Sequence, residues 1–212
     1  MAGERVVPMS SSFRRRRVLL VVVGLLVVAL VAAGVAFWWV VIRDTRPRFV
    51  VDKVDDGLRV EWVSTTVTGA EFTGTYRLTN TTGEDVWLPT GSGAVPDSAG
   101  GYALGRVFLP LDDAKDWLTP PMISVSRLGA GESREFTFSY ARPFALTLRY
   151  LEEPEETVNP STVRLCVGYV RTSDLGGNQP RKSERSSERP EMSAEAGFRL
   201  QHVSCSELID VE

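Results

Sequence analysis

The sequence predicts an all-β sandwich preceded by a single N-terminal membrane-crossing helix, and three patterns in its 212 residues carry that expectation. An apolar run without a charge extends from Val18 to Val41. Beyond it, apolar and polar residues alternate over short stretches, the period of half-buried strands. Clusters of Gly, Pro, Asn and Asp separate these stretches, as in sandwiches and barrels.

Residues 1–17 read as a short basic cytoplasmic tail. The segment Met1–Ile42 holds five arginines and one acid, Glu4, whereas the rest of the chain carries 19 basic and 26 acidic residues. Arg14, Arg15, Arg16 and Arg17 abut the apolar run, and basic residues are retained on the cytoplasmic side of a span. Residues 18–42 are expected to form the helix, because 24 apolar residues from Val18 to Val41 reach about 36 Å at about 1.5 Å each, against a hydrocarbon core of about 30 Å. Trp38 and Trp39 would settle at the far headgroup level. A cleaved signal peptide competes with this reading through the small residues Ala32-Ala33-Gly34-Val35-Ala36. The run is longer than an ordinary signal core and is succeeded by bulky tryptophans. Either reading exports the C-terminal remainder of the chain, and residues 43–48, with Pro47, serve as a linker.

Residues 49–212 then read as one extracytoplasmic β-domain. Leu58, Val60 and Trp62 alternate with Arg59 and Glu61. Phe72, Tyr76 and Leu78 alternate with Glu71, Thr73, Thr75, Arg77 and Thr79. Phe136, Phe138 and Tyr140 alternate with Glu135, Thr137 and Ser139, and Val163, Leu165, Val167 and Tyr169 alternate with Arg164, Cys166 and Gly168. Phe198 and Leu200 across Arg199 and Gln201 suggest a last strand. Gly91–Gly101 and Asp112–Pro121 read as long loops, and no outer segment has a helical period of useful length.

Residues 172–195 interrupt the alternation. Leu175 and Met192 are the only large apolar side chains there, so the segment reads as one long mobile loop. The two cysteines flank it. Cys166 has the parity opposite Leu165 and Val167, and Cys205 the parity opposite Phe198 and Leu200. Paired strands would place both sulfurs on one outward face, so export implies a disulfide between Cys166 and Cys205.

Two segments carry a family resemblance. Thr75-Tyr76-Arg77-Leu78-Thr79-Asn80-Thr81-Thr82-Gly83-Glu84-Asp85-Val86 resembles a strand, polar turn and strand of immunoglobulin-like domains in secreted or membrane-anchored bacterial proteins. Leu128-Gly129-Ala130-Gly131-Glu132-Ser133, leading to Phe136 and Phe138, resembles the turn before a later strand of such domains. The resemblance covers Leu58 to Leu151 and implies an immunoglobulin-like, or telokin-like, sandwich. It implies no activity, since this fold hosts many unrelated functions. The insertion Pro89–Gly105 departs from the compact form.

No catalytic, cofactor or metal motif is recognisable. His202 is the only histidine, no serine sits in a Gly-x-Ser-x-Gly elbow, and a structural histidine is the expectation. Asp112, Asp113 and Asp116, like Glu152, Glu153, Glu155 and Glu156, lack calcium-loop spacing. Asn80-Thr81-Thr82 is a glycosylation sequon, meaningful only in a eukaryotic secretory pathway. Trp117 marks a candidate binding loop, because loops on rigid sandwiches carry function and tryptophan makes a good anchor.

The functional expectation is therefore a non-catalytic, membrane-tethered module of the cell envelope. Its partners would be the lipid bilayer and another envelope protein or polymer, with no nucleic acid given the acidic outer part. A bitopic structural subunit of a larger envelope complex is the alternative, and a hydrolase a distant third.

Overall fold

The computed structural model describes residues 25, 28–35, 49–99, 101–111, 117–119, 121–150, 156–182 and 189–212. The chain divides into two compact units at the Pro47–Arg48 junction. In the first, residues 28–35 are helical. The expected anchor residues Arg14, Arg15, Arg16, Arg17, Trp38 and Trp39 lie outside the described residues, as does most of the 18–42 segment. Among the described residues no helix is long and apolar enough to cross a membrane.

The second unit is built from fourteen described strands: β1 (Leu58–Val67), β2 (Glu71–Asn80), β3 (Val86–Pro89), β4 (Gly93–Asp97), β5 (Gly101–Arg106), β6 (Met122–Leu128), β7 (Ser133–Ala141), β8 (Phe144–Ala145), β9 (Thr157–Val158), β10 (Thr162–Arg171), β11 (Arg181–Lys182), β12 (Pro190–Ser193), β13 (His202–Cys205) and β14 (Ile209–Asp210). Strands β1, β2 and β7 form an antiparallel sheet in the order β1-β2-β7. The larger sheet runs β11-β12-β6-β3-β10-β5-β4, with β13 and β14 also paired to β10. Its β10–β5 pairing is parallel.

The expected alternation places Phe72, Tyr76 and Leu78 of β2 inward, where they meet Leu88, Leu104, Leu165 and Val167 of the larger sheet. This aromatic and aliphatic layer between two sheets is the core of a β-sandwich. Each of these large buried side chains contributes roughly 1.5–3 kcal/mol. Phe72 and Phe138 pack with ring centroids 5.0 Å apart, within the range of favourable tilted pairs.

The larger sheet is covered on its second face as well, and two expectations are corrected there. Strand parity puts Cys166 on an outward, solvated face, yet it is fully buried in a cluster with Phe49, Val51, Val95, Ala103 and Val203. The cause is the segment entering from the linker: Val51 bridges Asp97 and folds over the strands, so β10 is buried on both sides. Phe198 and Leu200 belong to a helix, Ala194–Leu200, not to a strand. Ser193 caps it by accepting a hydrogen bond from the Ala196 N–H, and Gly197 leaves room for the Phe108 ring, which a Cβ there would strike at 2.2 Å.

The segment 172–195, expected as one loop, contains a 3-10 turn at Thr172–Asp174, the β11–β12 hairpin and the edge pairing of β12 with β6. Residues 183–188 lie outside the described residues. Leu175 and Met192 insert into a cluster with Phe108, Val125 and Val170, so two apolar side chains suffice to pin a polar excursion at both ends. Likewise Gly91–Gly101 is not a loop throughout but holds the β4–β5 hairpin. The bidentate pair of Arg164 and Asp97 ties that hairpin to β10, with Asp97 almost wholly buried.

Candidate functional site

Two neighbouring strands and two approaching loops build a polar cluster around His202. Tyr169 of β10 lies opposite His202 of β13, and the rings stack with centroids 5.4 Å apart. The Asp55 N–H donates to the Val203 carbonyl at 2.8 Å, which brings the carboxylate beside them. Its Oδ1 accepts hydrogen bonds from the Gly57 N–H, the Tyr169 hydroxyl and the Ser204 hydroxyl. Its Oδ2 lies 3.0 Å from His202 Nδ1 and 3.4 Å from Arg171 Nη2. His202 Nε2 in turn lies 2.9 Å from Asp174 Oδ2, at the start of the 172–195 segment.

Partial burial pushes the Asp55 carboxyl upward, but the hydrogen bonds from Tyr169, Gly57 and Ser204 and the charge of His202 outweigh it. The net effect holds Asp55 below the ordinary carboxylate range. Burial and the adjacent Asp55 carboxylate push the Tyr169 phenol up to about 12, so it remains a donor at neutral pH.

The arrangement is a clamp rather than a relay. In a Ser-His-Asp triad the hydroxyl donates to the imidazole. Here the Ser204 hydroxyl is buried and donates to Asp55, while both imidazole nitrogens face carboxylate oxygens. His202 joins the entry segment, β13 and the Thr172–Asp174 turn. No sequence signal pairs Asp55 with His202, which are joined only by the fold. Among the described residues no group of His, Cys, Asp or Glu could hold a metal ion.

The sequon asparagine is also structural. Asn80 is 1% exposed, and its Nδ2 donates to the carbonyls of Glu84, Leu128 and Gly129 at 2.7, 3.1 and 2.9 Å. Its Oδ1 accepts from the Thr82 N–H and hydroxyl. This amide fixes the turn that the family resemblance singled out and offers no free nitrogen to a glycan.

A concavity of ≈ 370 Å³ lies between β6, the end of β5 and the segments 89–93 and 147–150. Its wall includes Gly91, Ser92, Phe108, Met122, Ile123 and Tyr150. Gly91, Ser92 and Gly93, from the segment expected as a long loop, border this groove. Trp117 is half-buried and is not among the groove residues; beside it Leu118 is 97% exposed. Residues 112–116, with Asp112, Asp113 and Asp116, lie outside the described residues.

Cys166 and Cys205 stand opposite each other in the β10–β13 register and are joined by a disulfide. Together these features define the class: a disulfide-bonded, two-sheet β-sandwich. No family model, no curated protein and no solved structure matches the chain.

Proposed function

We propose that this chain is a membrane-tethered, extracytoplasmic interaction module of the cell envelope, non-catalytic, with an immunoglobulin-like sandwich as its outer domain. The observation that carries the reading is the Cys166–Cys205 bond on the central strand of the larger sheet. Structural disulfides persist in oxidising compartments, and a chain that delivers such a domain there needs an export signal. The uncharged Val18–Val41 run behind Arg14–Arg17 supplies one that also anchors. Engagement of both His202 nitrogens by carboxylates favours a binding role over hydrolysis.

The partner, an envelope protein or polymer, would meet the groove bordered by Gly91, Met122 and Tyr150. Photo-crosslinking from Met122 in intact cells tests this. A discrete crosslinked partner, absent when the probe sits at Thr137 on the opposite sheet, supports the reading; identical diffuse products from both positions would remove it.

A further inference from the structure

Among the described residues β1 pairs with β2 alone, so its other side presents an open row of backbone N–H and C=O groups. The other sheet edges are blunted. On β4 the carbonyls of Ala94 and Pro96 accept from the Thr147 and Val51 N–H groups. β11 is only the cation pair Arg181–Lys182, and β7 carries Arg134 and Glu135.

The second half of β1 has neither charge nor cover. Val63–Thr68 reads Val-Ser-Thr-Thr-Val-Thr, without a charge, proline or glycine. Ser64, Thr65 and Thr66 are exposed although they lie within a strand. The register shift between Trp62 and Ser64 precedes them and leaves Ser64–Val67 as a regular ladder. The direction of its free groups follows from the hairpin, where the Thr68 N–H donates to the Glu71 carbonyl at 2.8 Å. Facing pairs in an antiparallel ladder alternate between bonded and non-bonded. Thr65 and Val67 therefore turn their N–H and C=O groups away from β2.

We propose that this edge pairs with the same edge of a second copy of the chain, antiparallel and centred on Thr66. The two small sheets then form one continuous sheet, three strands from each copy. Thr65 and Val67 of one copy exchange N–H···O bonds with Val67 and Thr65 of the other. Thr66 faces Thr66, and Ser64 faces Thr68. The sequence itself argues for a second copy as the occupant, because Ser64–Thr68 is nearly palindromic about Thr66, with hydroxyls at 64 and 68 and β-branched residues at 65 and 67. Every facing pair is uncharged, and Thr–Thr and Thr–Ser pairs stabilise adjacent strands. A contact of this kind closes after two copies. The proposal stands apart from the membrane-tether reading and from the groove bordered by Met122.

The test is the association state of the purified full chain in a mild detergent, followed by sedimentation across a concentration series. A reversible dimer is expected. Thr66→Lys sets two like charges against each other on the two-fold axis and should weaken association at least about tenfold. An equal mixture of Thr66→Lys and Thr66→Glu chains should restore the dimer, since opposite charges then meet. Oxidation of Thr66→Cys should give a covalent dimer, because residues on the axis lie about 4.5 Å apart at Cα; Thr137→Cys on β7 should give none. The crosslink keeps the proposal falsifiable should Thr66→Lys disturb the strand. A chain that stays monomeric up to about 1 mM would overturn the proposal. So would a dimer equally stable in the native and Thr66→Lys chains, or a Thr66→Cys crosslink in cells that joins a different protein.

Discussion

Cys166 and Cys205 sit in register on adjacent antiparallel strands, and their bond closes the 172–200 excursion onto the strand that precedes it. The sulfur of Cys166 lies beneath the entry segment, in a fully buried cluster. Gly105 of the neighbouring strand permits this approach. With φ +143, it lies so close to the Cys166 carbonyl that a Cβ would stand 1.9 Å away.

Replacing both cysteines by alanine removes a crosslink between positions 39 residues apart, worth about 4 kcal/mol in the chain-entropy account. Urea denaturation should show the midpoint falling accordingly, and reductant should produce a similar fall in the native chain but none in the double variant. A midpoint indifferent to both would show that pairing of β10 with β13 is sustained by other contacts.

Asp97→Ala should cost about 3 kcal/mol, because it strands the Arg164 guanidinium in a mostly buried site. Arg164→Met together with Asp97→Leu should recover most of that loss, since two apolar groups leave no charge unpaired. Thermal denaturation of the single and double variants measures the difference.

Asn80→Ala leaves the carbonyls of Glu84, Leu128 and Gly129 without the shared donor that now joins them. A loss of about 2–3 kcal/mol is expected from unpaired buried acceptors. Asn80→Asp should be no better, as a carboxylate brings acceptors where the carbonyls now share the two N–H groups of the amide. Chemical denaturation of both variants is the check.

Asp55 gives the fold a definite acid response. Its folded-state carboxyl titrates below the ordinary value near 3.8, so the stabilisation it contributes is fully present above that value. It is lost as pH falls through the lower, folded-state value. Asp55→Asn should destabilise the native state at pH 7 by about 1–2 kcal/mol through weakened bonds to Tyr169, Ser204 and His202. It should also flatten the acid limb of the stability curve. An unchanged acid limb would assign the effect to other carboxylates.

The strands that the alternation marks most clearly, β1, β2, β7 and the first half of β10, are the ones whose faces contrast most in the structure. Where both faces are buried, alternation loses its meaning: parity assigns Cys166 to a surface because the sequence cannot show that Phe49 and Val51 fold over it. The helix Ala194–Leu200 escapes notice because it is two turns long and its buried face is made of Ala194, Ala196 and Gly197, residues without an apolar stripe. The β4–β5 hairpin is hidden by glycines that read as loop but here serve close strand contact. The His202 cluster joins residues 28 and about 150 positions apart, beyond any local pattern.

The central claim is that the sandwich faces the oxidising side of a membrane. Thr137 is exposed on the outer face of β7, where a cysteine should neither disturb the core nor reach the native disulfide. A membrane-impermeant maleimide applied to intact cells producing the Thr137→Cys chain measures that placement directly. Labelling before lysis, at the single introduced thiol, is the predicted result. Labelling that appears only once the cells are broken, or that also reaches Cys166 and Cys205 without reductant, would contradict it.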